Sequence, residues 1–419
     1  MGAHEVRQVR RRRVFYIPGY DPIHPRRYRE LYRKEGAAQA AISGYQIALT
    51  PKQGTGPYGW HVTSTQDGAT VETDVEVLIW SDIVRESMGA SIPATYGQLA
   101  RTAFAYIASG ALFRLMRLRK GPVIAALYPI VALLGQALIG LAMGGALAAL
   151  ALRLLPAFPA DGAAAVVLGA GVMALTLRWF RRQDGRFYAY YLMHDYAFTA
   201  RWNGANPPAL ETRMAAFRAT IAQALTEDWD EVLIVGHSSG AHLAVSILAD
   251  LIRDNTAASS WQKYSSATAP PRPALAFLSL GQVVPMVSFL PRATRLRADL
   301  AFLSARPELT WVDVTAPGDG CAFALCDPVK VSGVAPPDQR GPLILSAAFT
   351  RTLSPDRWKA LRWRFFRLHF QYLCAFDRPG DYDYFRITAG PQTLAARFAG
   401  RPPSKSRIER AANRYTTVA

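Results

Sequence analysis

The chain has 419 residues, half of them hydrophobic, enough for one large core or two domains and too apolar for a disordered chain. Its 48 lysines and arginines against 31 aspartates and glutamates give a formal net charge of +17, which attracts either nucleic acid or the anionic cytoplasmic leaflet of a membrane. No zinc finger, helix-turn-helix pattern or aromatic-interleaved basic stripe accompanies that charge, so a membrane is the expected partner and nucleic acid is not. Three cysteines, Cys321, Cys326 and Cys374, exclude a disulfide framework, match no metal-ligand spacing and indicate a reducing compartment.

In chain order, residues 1–13 read as a basic N-terminal segment, with the RRRR run at 10–13 as solvated or lipid-facing charge. Too few apolar residues precede Pro18 for a secretory core of about 7–15, and Val6 stands where a myristoylation signal needs Ser or Thr. Residues 14–120 read as the first part of an α/β body. It has a buried strand at 14–17 ending in Pro18-Gly19, then β-rich stretches at 44–50, 60–65 and 74–80.

Residues 121–180 read as a two-helix transmembrane hairpin. Positions 122–152 carry no charged side chain, and about 20 apolar residues suffice to cross the hydrocarbon core. A second uncharged run, 162–177, follows a connection containing Pro156 and Pro159, with Trp179 and Phe180 as interfacial anchors. Arg114, Arg117, Arg119 and Lys120 precede the first span; Arg178, Arg181, Arg182 and Arg186 follow the second; the connection holds only Arg153. The positive-inside rule then places both flanks in the cytoplasm, giving a multi-pass membrane protein with a cytoplasmic body. The competing reading is a buried helical lid over a soluble core.

Residues 181–388 read as the second part of the body. A strand is expected at 186–192. A helix follows at 211–226, with Met214, Phe217, Ile221 and Leu225 on one face. Next come a strand at 231–235, the turn GHSSG, a helix through 252, a polar loop at 254–273, and strands at 274–280 and 309–315, the latter ending in APGDG. Such alternation predicts a mostly parallel sheet with helices on both faces. Residues 389–419 are polar and basic and read as a flexible tail.

GHSSG, at 236–240, sits between a buried strand and a helix of small residues, with glycines where a strained turn must close against its neighbours. In this the chain resembles the α/β-hydrolase superfamily of serine esterases and lipases, over most of residues 14–375. The resemblance implies an α/β-hydrolase-like fold interrupted by the hairpin, with Ser238 as nucleophile and Ser239 N–H as one oxyanion donor. In the family the acid and then the histidine follow the nucleophile along the chain. Of seven histidines only His242 and His369 do so; His242 lies one turn along the helix, which leaves His369 as base and His194 as an outsider. Asp319 lies in the loop after a strand, where the family places its acid, with Asp313 and Asp327 as rivals. By the same resemblance Tyr20 N–H is the second oxyanion donor, shaped by Gly19, although a plain Pro-Gly turn explains that stretch as well.

The expected activity is hydrolysis of carboxylic esters, lipid acyl esters among them, through an acyl-enzyme, with no metal or organic cofactor. Alternatives are an acyltransferase or thioesterase using the same triad, and a non-catalytic membrane scaffold that keeps the fold.

Overall fold

The computed structural model describes residues 8–154, 161–257 and 273–418. Its strands are β1 (Arg11–Ile17), β2 (Gln46–Pro51), β3 (Gly59–Gln66), β4 (Ala69–Val77), β5 (Glu231–His237), β6 (Ala274–Leu280), β7 (Leu309–Thr315) and β8 (Leu343–Ser346). They form one mixed sheet in the order β2-β3-β4-β1-β5-β6-β7-β8. β4, β1, β5, β6, β7 and β8 run parallel, while β2 and β3 extend the sheet antiparallel at one edge.

Helices cover both faces, as the alternation of strands and helices predicts. α1 (Arg26–Ser43) follows β1. Between β4 and β5 lie α2 (Ser81–Ser87), α3 (Ile92–Ala108), α4 (Ala111–Leu118), α5 (Lys120–Leu154), α6 (Asp161–Arg182), α7 (Asp184–Phe187), α8 (Ala189–Ala200) and α9 (Pro208–Ala224). α10 (Ser239–Ala257) follows β5. Successive side chains of a strand point to opposite faces. Val14, Tyr16, Leu233 and Val235 accordingly join one core with Tyr28 and Tyr32 of α1. Phe15, Ile17, Val232 and Ile234 join the other, against Met214 and Phe217 of α9 and Leu243 of α10.

Three expectations require correction, and one strand went unforeseen. Residues 186–192 are helical, in α7 and the start of α8, rather than a strand. Their aromatics favour strands by composition, but the buried positions Ala189, Tyr190, Met193, Ala197 and Ala200 follow a helical period. β8 was not anticipated; at four residues it carries too short a pattern. The arginine run is solvated charge only at Arg10 and Arg11, which are exposed; residues 11–13 begin β1, and the second half of the run turns inward. Arg12 is fully buried, its Nε donating to Glu231 at 2.6 Å and its NH1 to the Gly390 carbonyl at 2.7 Å. Arg13 pairs with Asp74 and Glu76.

The C-terminal segment, expected to be a flexible tail, is packed. Leu394 is buried and its N–H donates to Glu231; Ile408 N–H donates to Leu325 O at 2.7 Å; Arg297 donates to Thr417 O at 3.0 Å. Its scattered apolar residues make no periodic pattern because they fill separate gaps along the body. Pro156 and Pro159, the basic residues before position 8 and most of the 254–273 loop lie outside the described residues.

α5 and α6 are long and apolar enough to cross a membrane. Only 28% and 17% of their apolar windows are buried, whereas a lid over a soluble core would bury its apolar face. Val131, Leu141, Val167 and Leu175 project outward. The helices meet where Gly144 faces Gly169: a Cβ on Gly144 would lie 2.3 Å from the Gly169 carbonyl oxygen. Small residues allow such backbone approach. Gly144→Leu is therefore expected to destabilise the hairpin by about 1–3 kcal/mol through overpacking. Gly145→Leu, which meets nothing within 4 Å, should leave the thermal midpoint of the detergent-solubilised chain unchanged. Equal midpoints for the two variants would refute this packing.

Candidate active site

Because β1, β5, β6 and β7 are parallel, their carboxyl ends meet at one edge of the sheet, the place where open α/β sheets bind ligands. β5 ends at His237, and Ser238 turns the chain directly into α10. Ser238 has φ +56°, a left-handed conformation that serine rarely adopts, so the turn is strained and holds its side chain at the tip. Its N–H bonds Leu280 O at the end of β6, at 2.9 Å. The flanking glycines are required by contact. A Cβ on Gly240 would lie 2.1 Å from Ile17 O, and one on Gly236 would lie 2.8 Å from Ala241 Cα. Gly19 lies against the serine itself, where a Cβ would come within 2.9 Å of Ser238 Cβ and 3.3 Å of Oγ.

Asp319 and His369 reach the same edge from two later segments. Asp319 follows β7, and His369 ends the short helix Phe365–His369. His369 Nδ1 donates to Asp319 Oδ2 at 2.7 Å. Tyr372 OH donates to the same oxygen at 3.0 Å, and Cys321 N–H donates to Oδ1 at 2.9 Å. Burial alone would raise the Asp319 carboxyl, but the His369 charge and these three donors outweigh it and hold the carboxyl below its usual value. His369 Nε2 is buried and has no hydrogen-bond partner among the described residues. Ser238 and His369 line one open cleft of about 500 Å³, together with Gly19, Tyr20, Asp195 and Cys321. No hydrogen bond joins Ser238 Oγ to His369 Nε2 in this structure.

The Tyr20 and Ser239 N–H groups donate to no described residue, so both remain available to an anion at the serine.

The rival residues are occupied elsewhere. Asp313 lies inside β7, accepts from Ser279 Oγ at 2.6 Å, and is pushed up to about 8 by burial. Asp327 caps the helix Pro328–Val331 by accepting from Val329 N–H and Lys330 N–H. His194 bonds Gln98 at 2.8 Å and does not line the cleft. His242 is buried on α10, and burial lowers it to about 4.

Three contributing residues escaped sequence reasoning. His237, inside the pentapeptide, donates from Nε2 to His369 O at 2.9 Å, with the two rings 4.8 Å apart. Burial lowers it to about 3, so it stays neutral and acts as a brace for the His369 backbone. Tyr372 anchors Asp319; its place three residues after His369 was the available signal. Asp195 adds a second carboxylate to the cleft wall, next in sequence to the discounted His194. Burial pushes it up to about 7 against the opposing pull of the His369 charge.

Asp195 gives a pH prediction. Its folded pKa lies above the ordinary value of 3.8, so the folded chain holds a proton that the unfolded chain releases as pH rises from about 4 to about 7. The native state therefore loses stability across that window. Asp195→Asn should leave the thermal midpoint nearly unchanged at about pH 3.5, below both values, and raise it at about pH 8; an equal or lower midpoint at the higher pH would contradict the assignment.

Asp319, Cys321 and His369 place one potential metal ligand each within 4.8 Å of one another. The donor set suits a proton relay better. Asp319 already accepts three hydrogen bonds, and burial with the nearby Asp319 and Asp195 charges pushes the Cys321 thiol up, so it is not a thiolate. Chemically, the cleft joins a strained hydroxyl, an imidazole whose outer nitrogen has no partner among the described residues, and a carboxylate that fixes its inner one, with Tyr20 on its wall and Ser239 next in sequence to the hydroxyl. Searches of family models, curated proteins and solved structures return no match for the chain.

Proposed function

We propose that the chain is a membrane-anchored serine hydrolase of the α/β-hydrolase type that cleaves carboxylic esters. The observation that carries this reading is the meeting, on one cleft, of a left-handed serine at a strand-to-helix turn with a histidine hydrogen-bonded to a buried carboxylate. His369 Nε2 takes the Ser238 proton as Oγ attacks the ester carbonyl, and Asp319 stabilises the imidazolium through Nδ1. Tyr20 and Ser239 N–H groups hold the oxyanion. His369 then returns the proton to the departing alkoxide, leaving an acyl-serine. A water deprotonated by His369 releases the acid and restores the hydroxyl. α5 and α6 supply the anchor, and the arginines flanking them favour a cytoplasmic body.

The test uses the full-length chain in detergent with p-nitrophenyl butyrate. Hydrolysis that is abolished by prior treatment with a fluorophosphonate supports the reading. A folded chain that neither hydrolyses the ester nor labels is the scaffold of the alternative.

A further inference from the structure

Ser238 separates two spaces of different character. On one side is the open cleft that His369 lines. On the other is a smaller chamber of about 50 Å³, where Ser239, Thr199 and His242 face Pro122, Met286 and Val287, and of which His369 is not part. Asp195 and Cys321 stand with Ser238 at the junction. Beyond the smaller chamber lies an almost wholly apolar cavity walled by Leu115 of α4 and by Val123, Ala126, Leu127 and Ile130 of α5. Tyr196 and Met286 line both the chamber and the cavity, so they form the partition between them.

The foot of the first membrane-competent helix is thus part of the site. Pro122 and Val123, in the first turn of α5, are buried against the body. A Cβ on Gly121 would come within 3.2 Å of Gly320, the neighbour of Asp319. Arg119, just before the helix, donates to Ala324 O at 2.7 Å. Next to the cavity, Phe104, Ile107, Phe113 and Ile124 leave an apolar surface uncovered at the level where α5 leaves the body. Isolated exposed apolar residues need no explanation, but these sit on the three helices, α3, α4 and α5, that wall the cavity, which fits lipid contact where α5 leaves the body.

Proton chemistry assigns the two sides. His369 must protonate the departing alkoxide and then activate water, and both must occur where His369 is, in the open cleft. The acyl portion therefore takes the other side, toward Ser239. We propose that this side is an acyl-chain channel: the substrate is a long-chain acyl ester of the bilayer. Its chain passes Met286 and Tyr196 into the cavity at the foot of α5, while its alcohol portion leaves through the open cleft. Methionine suits the partition because its unbranched side chain shifts to admit a chain and refills the space afterwards. This rests on the hydrolase reading and adds a substrate class and a route to it.

The experiment measures kcat/KM of the full-length chain in detergent on p-nitrophenyl butyrate, octanoate, laurate and palmitate, with fluorophosphonate labelling as a measure of an intact site. The expected wild-type preference is for the longer chains. Met286→Trp should lower kcat/KM on laurate and palmitate, relative to that on butyrate, by roughly tenfold or more in protein that still labels. Ala126→Phe, deeper in the cavity, should cut palmitate most. If Met286→Trp does not fold, Ala126→Phe carries the test. Active, labelled variants whose chain-length profile matches wild type, or that lose all four esters equally, overturn the channel and leave the hydrolase standing. A wild type that neither labels nor cleaves any of the four overturns both.

Discussion

Ser238→Ala is expected to lower kcat on a short-chain ester by about 10⁴-fold or more without altering the fold, because the hydroxyl that forms the acyl bond is gone while the strained turn is held by its surroundings. Gly236, Gly240 and the Ser238 N–H bond to Leu280 O impose that turn, and none depends on Oγ. His369→Ala should cost a similar factor, and the double variant should be no slower than either single one, since the two groups act as one unit. A double variant whose loss is the product of the two single losses would show that they act independently.

Asp319→Asn should reduce kcat by about 10³–10⁴-fold. An amide at this place can present its NH₂ to His369 Nδ1 and favour the wrong tautomer, and it carries no charge to stabilise the imidazolium. Asp313→Asn is the matched control. It removes an equally buried carboxylate of the preceding strand whose only hydrogen bond among the described residues is from Ser279, and it should leave kcat within a few-fold. Circular dichroism on both variants separates loss of chemistry from loss of fold. The opposite ranking would make Asp313 the acid and would require rebuilding of the β7 end.

What could be read before folding follows from which interactions are local. The strands at 231–235 and 274–280 are nearly unbroken apolar runs, the signature of strands buried on both faces, and the structure places them side by side in the interior of the sheet, whereas 309–315, with Asp313 inside it, lies next to the β8 edge. The hairpin was legible because a run without charge needs no knowledge of its neighbours. The strand-to-helix turn at Ser238 was legible because strand, glycine and helix signals lie within a dozen residues. The features that failed depend on distant partners. Arg12 looks like surface charge until Glu231, at the start of β5, and the carbonyls of residues 390 and 392 surround its guanidinium. Residues 186–192 carry strand-forming aromatics, yet Asp184 accepts from Tyr190 N–H and Tyr191 N–H and opens a helix there. Asp195 and Pro122 gave no sequence signal because only the packing of the hairpin's flanks against the sheet edge brings them to the serine.

The central claim is that Ser238 is a nucleophile activated by His369. Intact-mass analysis of the full-length protein after fluorophosphonate treatment, followed by peptide mapping, tests it most directly. The expected result is one adduct per chain, on Ser238, formed much more slowly in His369→Ala. A folded protein that acquires no adduct, or carries it on another residue, would contradict the claim.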